Sequence, residues 1–211
     1  VTVREKFQDT MKRGVRAARN PRIALSYAAA MVSRGDLSTV STFLSLWLVQ
    51  VGVSKGMSSG EALRTAGMFF GIVQVCALLW APVMGVLCDR INRVGALALA
   101  MTLAATGYLT AGFLPDPTGS AMYFAAVILG VGEVSAVIAA QALIGQEAPE
   151  DGRGAVIGVF GVAGGIGILM AGSLGGYLFD AWRPSAPFIL MGVANATLLC
   201  VALLVRWKAP R

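Results

Sequence analysis

Histidine is absent from this chain of 211 residues, and only 13% of its residues are charged. The lack of histidine removes the commonest metal ligand and the side chain that most often transfers protons near neutral pH. Cys76, Cys88 and Cys200 are far apart and form no C-x-x-C pair. The sequence therefore gives no support to a metal site or a disulfide framework.

The scarcity of charge also argues against a soluble protein. Soluble domains carry about 25% charged residues, whereas here 56% of the residues are hydrophobic and 26 are glycine. Intrinsic disorder is excluded because the apolar content is high. The composition predicts an integral membrane protein.

Six long apolar runs dominate the chain. A helix needs roughly 20 apolar residues to cross a hydrocarbon layer about 30 Å thick. The runs that reach this length are 23–53, 66–87, 95–114, 121–145, 155–178 and 187–205. They are too long for barrel strands and lack a strand's alternation, so helices are expected. The predicted fold class is an all-α membrane protein with a six-helix domain at 23–206 and a tail at 207–211.

The basic residues divide unequally between the two sides that alternating helices create. One side carries only Lys55, Arg64 and Arg183. The other carries thirteen of the 17 basic residues, namely Arg4, Lys6, Lys12, Arg13, Arg16, Arg19, Arg22, Arg90, Arg93, Arg153, Arg206, Lys208 and Arg211. The positive-inside rule then predicts an inner-membrane protein with both termini in the cytoplasm. The net charge of +6 thus reports topology, and nucleic acid is not an expected partner.

A basic segment, 1–22, precedes the first span. Its apolar residues recur at three- and four-residue spacing, at Val3, Phe7, Met11, Val15 and Ala18. This pattern predicts a cytoplasmic amphipathic helix lying on the membrane surface. A solvated basic tether is the alternative interpretation.

One short motif, G-x-L-x-D, occurs twice. It ends the second span at 85–89 and the fifth span at 176–180, 91 residues apart, and Gly67 matches Gly158 at the same offset. Three spans separate the copies, so one lies inside and the other outside. This is the arrangement of two inverted three-helix repeats, which is typical of secondary transporters.

The loop after the second span carries a longer string, Gly85-Val-Leu-Cys-Asp89-Arg90-Ile-Asn-Arg93-Val-Gly-Ala-Leu97. It resembles the loop signature of the major facilitator superfamily, G-x-L-x-D-R-x-x-R-x-x-x-L, with Asn92 where glycine is common. The family places this signature after its second helix and often again after its eighth.

Other features are similar to the carboxy-terminal half of such a transporter. They are the basic linker, the turn at 149–154 and Pro187-Phe188 in the last helix. The resemblance covers about Arg19 to Trp207, whereas family members have twelve helices and about twice this length. It therefore implies half a transporter, with a small-molecule solute, the lipid bilayer and either the missing half or a second copy as partners. A start at Val is compatible with a fragment or a truncated gene product and establishes neither.

The fifth span departs from one family pattern. Residues 167–176 are similar to the antiporter signature g-x-x-x-G-P-x-x-G-G, but Ala171 and Gly172 replace its Gly-Pro. This difference weakens an antiporter interpretation and favours the carboxy-terminal half.

The loop motif contributes Gly85, Asp89, Arg90 and Arg93 as a candidate cytoplasmic gate. A carboxylate beside two guanidiniums makes charge-assisted hydrogen bonds that can hold helices in one of two arrangements. The alternative is a solvated loop whose arginines only set topology.

Three ionisable residues fall inside the spans: Arg34, Asp36 and Glu133. Each costs about 2.5–3.5 kcal/mol at the centre of a spanning helix on insertion scales, so such residues usually face a wet cavity or a partner. Glu133 lies mid-span with Gln141 two turns further on, as expected of a residue that binds a proton or a solute. A carboxylate satisfied by a polar neighbour in helix packing is the alternative.

Arg34 and Asp36 are two residues apart and cannot pair on one helix face. Arg34 shares a stripe with three serines that we expect to line a polar path: Ser38, Ser41 and Ser45. If the first span instead begins near Leu37, both charges lie at the inner interface and snorkel. Further polar candidates within the spans are Gln74, Tyr108 and Asn195.

The fifth span is rich in glycine. Its G-x-x-x-G pairs predict close helix packing, and they are Gly154/Gly158, Gly161/Gly165 and Gly172/Gly176. Ahead of the second span, Ser58 and Glu61 predict a capping box that starts the helix early.

The leading hypothesis is secondary active transport of a small solute by alternating access, coupled to protons through Glu133. The alternative is a homodimerising or inactive six-helix module. A membrane enzyme would need a nucleophile–base pair or a metal cluster, and neither is visible, so we expect no catalytic residue and no cofactor.

Overall fold

The computed structural model describes residues 3–208, with side chains from residue 8 onward. The described chain is helical: α1 (Val3–Ala17), α2 (Pro21–Thr39), a π-helical turn (Val40–Leu44), α3 (Ser45–Ser54), α4 (Ser59–Arg90), α5 (Arg93–Gly112), α6 (Ala121–Glu147), α7 (Arg153–Ala181) and α8 (Ala186–Lys208). The side chains of Val3 and Phe7 and the residues after 208 lie outside the described part.

Six of these segments are long and apolar enough to cross a membrane, because α2, the π-helical turn and α3 form one continuous span over Pro21–Ser54. The six predicted spans are confirmed, each within a few residues except at the start of α4. That helix begins at Ser59 because Ser58 and Glu61 form the predicted capping box, in which each side chain bonds the backbone N–H of the other residue.

Local chemistry also sets two other helix starts. The Asn20 side chain accepts a hydrogen bond from the backbone N–H of Arg22, and Pro21 occupies the first helical position. For these two reasons α2 begins at Pro21. Asn92 accepts the backbone N–H groups of Val94 and Gly95 and starts α5 immediately after α4.

The helices pack in a two-fold pattern. The central pair is α2 and α6, α2 packs along α7, and α6 packs along α4. On the far side, α5 packs along α8. The spans form two triplets: α2 with α3, α4 and α5, and then α6, α7 and α8. Exchanging the two triplets in this order preserves these pairings, as two three-helix repeats predict.

The ends of α5 mark the two ends of the bundle. Arg206 of α8 lies over Gly95 at the start of α5, with its Nη1 3.1 Å from the position a Cβ would take. The Arg183 guanidinium, which follows α7, lies 5.3 Å from the ring centroid of Phe113 after the end of α5. The two copies of the repeated motif, which end α4 and α7, therefore lie at opposite ends of the bundle.

Amphipathic α1 packs against the membrane domain at the first of these ends. A Cβ at Gly14 would lie 2.5 Å from the Ala155 carbonyl oxygen of α7. The Tyr27 hydroxyl of α2 donates a hydrogen bond to the Gly14 carbonyl at 2.8 Å. The apolar Val15 side chain stays exposed.

The prediction for the glycines of α7 is wrong within this chain. No atom lies within 4 Å of a Cβ placed on any of the predicted packing positions Gly154, Gly158, Gly161, Gly165, Gly172 and Gly176. Instead α7 meets α2 through Gly164, Gly167 and Gly175, where a Cβ would overlap or crowd that helix. The face bearing Gly161 and Gly172 is turned by about 100° from this packing face.

Candidate functional site

A cavity of about 310 Å³ that contains charged and polar side chains lies between α2, α4, α6 and α7. Its lining residues are Arg34, Leu37, Ser38, Val40, Ser41, Phe70, Gln74, Glu133 and Ile168. A second hollow of about 310 Å³ shares Leu37, Gln74 and Glu133 with it and continues along α4 and α6. Together they form one groove on the face of the bundle opposite the α5–α8 pair.

The sequence-predicted residues separate into two groups. Arg34, Gln74 and Glu133 line the groove, whereas Asp36 and Asn195 are buried behind it. Gln141 is exposed on α6 and is not among the residues that line it.

Arg34 and Glu133 face the same cavity without forming an ion pair. Arg34 lies 13 residues beyond Pro21, about 20 Å along the span, which favours a deep position over the inner interface. Its stem packs on Gly164, and in the described part of the chain its guanidinium is not within ion-pair distance of a carboxylate. Glu133 is 3% exposed, and its Oε2 atom has no hydrogen-bond partner among the described residues. A solute with polar groups can therefore contact charges of both signs.

The π-helical turn limits the polar stripe on the first span. Ser38 and Ser41 join Arg34 in the cavity wall, but Ser45 does not. A π-helical turn contains one more residue per turn than an α-helix, so the side chains that follow it are rotated about the helix axis. The prediction that Ser45 continues the stripe is wrong for this reason.

Behind the cavity, Asp36 and Asn195 join α2 to α8. The Asn195 Nδ2 donates to Asp36 Oδ1 at 2.9 Å and to Oδ2 at 3.1 Å. It also donates to the Met191 carbonyl at 2.9 Å. Both side chains are fully buried.

Aromatic rings lie beside this pair. Tyr108 of α5 is fully buried and interacts electrostatically with Asp36 and Glu133. Its ring stacks on Phe188 at 6.2 Å between centroids, and Phe188 lies 5.3 Å from Trp47. The rings thus connect α3, α5 and α8 around the buried carboxylate.

The candidate gate motif holds its own loop together. Arg93 donates to Asp89 Oδ1 at 2.9 Å and to the carbonyl of Cys88, which lies at the end of α4. The Asp89 side chain is 75% exposed, and Arg90 is exposed as well. A Cβ on Gly85 would contact nothing within 4 Å. The motif therefore joins α4 to α5 and presents its other groups outward.

Sequence reasoning missed one buried ion pair. Arg22 Nη1 lies 3.1 Å from Glu147 Oε1, and the two side chains are 4% and 0% exposed. The sequence pattern places Arg22 in the basic segment 1–22 and Glu147 just beyond the fourth apolar run, 121–145. Each residue is instead inside a helix, at the start of α2 and the end of α6. Only the fold brings them together across 125 residues.

The six apolar spans, their inverted pairing and the charged cavity define a multi-pass membrane protein of the transporter class. A family model, described as Major Facilitator Superfamily, matches residues 26–211. The chain belongs to the major facilitator superfamily. Membership associates it with membrane transport in general, and proteins of this family are generally not enzymes.

Curated relatives extend well beyond the matched region. Magnetosome protein MamH of Paramagnetospirillum magneticum is 32% identical over 183 residues, which cover 87% of this chain and 42% of that protein. Magnetosome protein MamZ of Magnetospirillum gryphiswaldense is 31% identical over 188 residues, covering 89% and 28%. The class H tetracycline resistance protein of Pasteurella multocida is 27% identical over 138 residues, covering 65% and 34%. The chain spans less than half the length of each.

Proposed function

We propose that this chain forms one half of a secondary transporter that moves a small solute across the inner membrane by alternating access. The observation that carries the proposal is the groove that Arg34, Gln74 and Glu133 line between the spanning helices. Unpaired intramembrane charges on a cavity wall mark a solute or ion path.

The groove needs a second wall. The helices that flank it, α4 and α7, are the two least buried spans. The unfilled glycine face of α7 lets another helix approach closely. A second six-helix unit fits this face and agrees with the greater length of the relatives. A second copy of this chain, in a homodimer, is the alternative occupant.

Coupling to protons is part of the proposal. Glu133 is a carboxylate at the boundary between the wet groove and the buried interior, so its protonation changes the charge of the cavity wall. The loop motif with Asp89 and Arg93 would stabilise one arrangement of the cytoplasmic end, since charge-assisted bonds there can form in one state and break in the other.

Cysteine accessibility tests alternating access without a known solute. In the native gene product that contains this chain, Cys76, Cys88 and Cys200 are replaced by alanine and Ser41→Cys is introduced into the cavity. A membrane-impermeant maleimide is applied to intact cells and, separately, to inverted vesicles. We expect Ser41→Cys to react from both sides.

Two loop positions serve as controls for sidedness. With cytoplasmic termini, Asp151→Cys reacts only in inverted vesicles and Thr118→Cys only in intact cells. Labelling of Ser41→Cys from a single side, or from neither, would contradict alternating access. Reaction of both loop cysteines from the same side would contradict the inverted topology.

Two further measurements test proton coupling and the identity of the second wall. The ratio of inside to outside labelling of Ser41→Cys should change with pH, and Glu133→Gln should remove that change. An equal pH response in Glu133→Gln would make Glu133 structural. Oxidative cross-linking of Gly165→Cys into a covalent dimer would support the homodimer over a second half within one polypeptide.

A further inference from the structure

Four buried oxygen atoms on four helices have no hydrogen-bond partner within the described residues. They are Thr39 Oγ1 on α2, Tyr108 Oη on α5, Glu133 Oε2 on α6 and Asn195 Oδ1 on α8. Unpaired buried polar atoms are few in folded proteins, and each calls for an explanation such as an ion or a water molecule. Four of them in one region of the fold indicate an unfilled ligand position.

The residues that carry these atoms interact with Asp36 or lie beside it on α2. Asn195 is hydrogen-bonded to both carboxylate oxygens of Asp36. Tyr108 interacts electrostatically with Asp36 and with Glu133, and the two carboxyls interact with each other. Thr39 follows Asp36 by three residues and so lies on the same face of α2.

The Thr39 hydroxyl differs from those of several other helical threonines. Thr102, Thr106 and Thr197 each donate to the carbonyl four residues earlier at 2.8–2.9 Å. This is the common way for a helical hydroxyl to satisfy itself. Thr39 makes no such bond, so its hydroxyl oxygen stays available to a ligand.

No basic side chain pairs with the two carboxyls of this region, Asp36 and Glu133, in the described part of the chain. Arg34 lies on the cavity side, and the middles of α5, α7 and α8 carry no basic residue. Two buried carboxyls without a counter-charge are stable only if protons or a bound cation neutralise them.

The donor chemistry restricts the cation. Only oxygen atoms are offered, which suits a hard ion and disfavours metals that prefer nitrogen or sulfur. No group of three or more His, Cys, Asp or Glu residues able to hold a metal occurs within 3–208. Calcium is usually held by several ionised carboxylates, whereas this region contains two carboxyls, Asp36 and Glu133.

We infer that Asp36, Thr39, Tyr108, Glu133 and Asn195 form a binding site for Na⁺. With one carboxyl ionised and the other protonated, a single monovalent cation leaves the site neutral. Glu133 also lines the groove, so the ion reaches the site from the solute cavity. The inference rests on the proposed transport function, for which Na⁺ would be a coupling ion.

Equilibrium binding of ²²Na⁺ to the purified native gene product in detergent tests the site. We expect saturable binding of one Na⁺ per chain that unlabelled Na⁺ displaces and that K⁺ and choline do not. Asp36→Asn should abolish binding. Thr39→Val, which removes one neutral ligand and keeps the shape, should weaken it about tenfold.

Matched variants keep the result interpretable. Asp180→Asn removes an exposed carboxylate at the end of α7 and should bind Na⁺ as the parent does. If Asp36→Asn fails to fold, Thr39→Val and Tyr108→Phe still test the site, because both retain its charges. Weakened affinity in these two variants would support it, whereas unchanged affinity would overturn it.

Several outcomes count against the site. The absence of saturable ²²Na⁺ binding would leave buried water or protons as the occupants. Displacement of bound ²²Na⁺ by K⁺ as readily as by Na⁺ would also contradict the assignment. Tighter binding of Ca²⁺ or Mg²⁺ would overturn the assignment to Na⁺. The labelling of Ser41→Cys needs no Na⁺, so two-sided labelling without Na⁺ binding would reject this site alone.

Discussion

Arg22 and Glu147 form a buried ion pair that ties the start of α2 to the end of α6, with 3.1 Å between Nη1 and Oε1. These are the two central helices of the bundle. A buried charge that loses its partner is costly, whereas an apolar pair of similar volume is often tolerated. The contact therefore makes this end of the central pair, against which α1 packs, sensitive to single substitutions.

Glu147→Gln should destabilise the protein by up to about 3–5 kcal/mol, because it removes the charge of one member of a buried ion pair. Thermal unfolding in detergent measures the loss. The double variant Arg22→Met/Glu147→Leu should recover most of it. A single variant as stable as the parent would show that the pair is solvated in the membrane protein.

Glycine substitutions on the two faces of α7 should have different effects on stability. Gly167→Ala places a Cβ against the Met31 carbonyl of α2, and overpacking of this kind costs about 1–3 kcal/mol. Gly165→Ala adds a methyl group in open space and should leave the melting temperature of the isolated six-helix chain unchanged. Equal effects of the two variants would contradict the packing described for α2 and α7.

The pair Lys55–Asp116 should make a small, pH-dependent contribution at the opposite end of the bundle. The hydrogen bond from Lys55, followed by those from Thr118, lowers the pKa of Asp116 to about 2. A lowered pKa in the folded state stabilises above the unfolded value of about 3.9 and loses its effect as the pH falls through the folded value. The 2.5 Å pair has side chains 43% and 45% exposed, so its contribution is about 0.5 kcal/mol.

Asp116→Asn should accordingly lower the melting temperature at pH 7 by about 1–2 °C. The difference from the parent should shrink between about pH 4 and pH 2, as measured by unfolding scans across that range. Asp151→Asn, a loop carboxylate at the other end, serves as the control. A difference that grows on acidification would contradict the assigned interaction.

Asp89→Asn should alter switching without altering stability. The side chain is exposed and pairs with Arg93 at the start of α5. Because a surface pair of this kind contributes about 1 kcal/mol or less, the free energy of unfolding should change little. The inside-to-outside labelling ratio of Ser41→Cys should shift if the motif stabilises one arrangement. An unchanged ratio would leave the motif with a topological role only.

The spans were predictable because membrane helices are defined by length and apolar content, both of which are visible in one sequence. The early start of α4 was also predictable, since Ser58 and Glu61 are local to it. The cavity residues Arg34 and Glu133 stood out because an ionisable side chain inside a span is costly and rare.

Contacts between distant residues, and the direction in which each helix face points, were harder to predict from the sequence. Asp36 and Asn195 are 159 residues apart, and no local pattern joins them. The π-helical turn at Val40–Leu44 rotates the residues that follow it, so the polar stripe from Arg34 ends at Ser41. A prediction that assumes a regular α-helical period cannot include this rotation. The glycines of α7 occur on several faces, so spacing alone did not identify Gly167 as the residue that contacts α2.

The neighbouring rings of Trp47, Phe188 and Tyr108 give the protein an intrinsic optical reporter. Trp47 is buried and packs against Phe188, and Phe188 packs against Tyr108. Tyr108 in turn interacts electrostatically with Asp36 and Glu133. Trp182 and Trp207 are exposed, so their emission is set by lipid, detergent or solvent. With Trp80, Trp182 and Trp207 changed to phenylalanine, the fluorescence of the remaining indole would follow the interior without any attached dye.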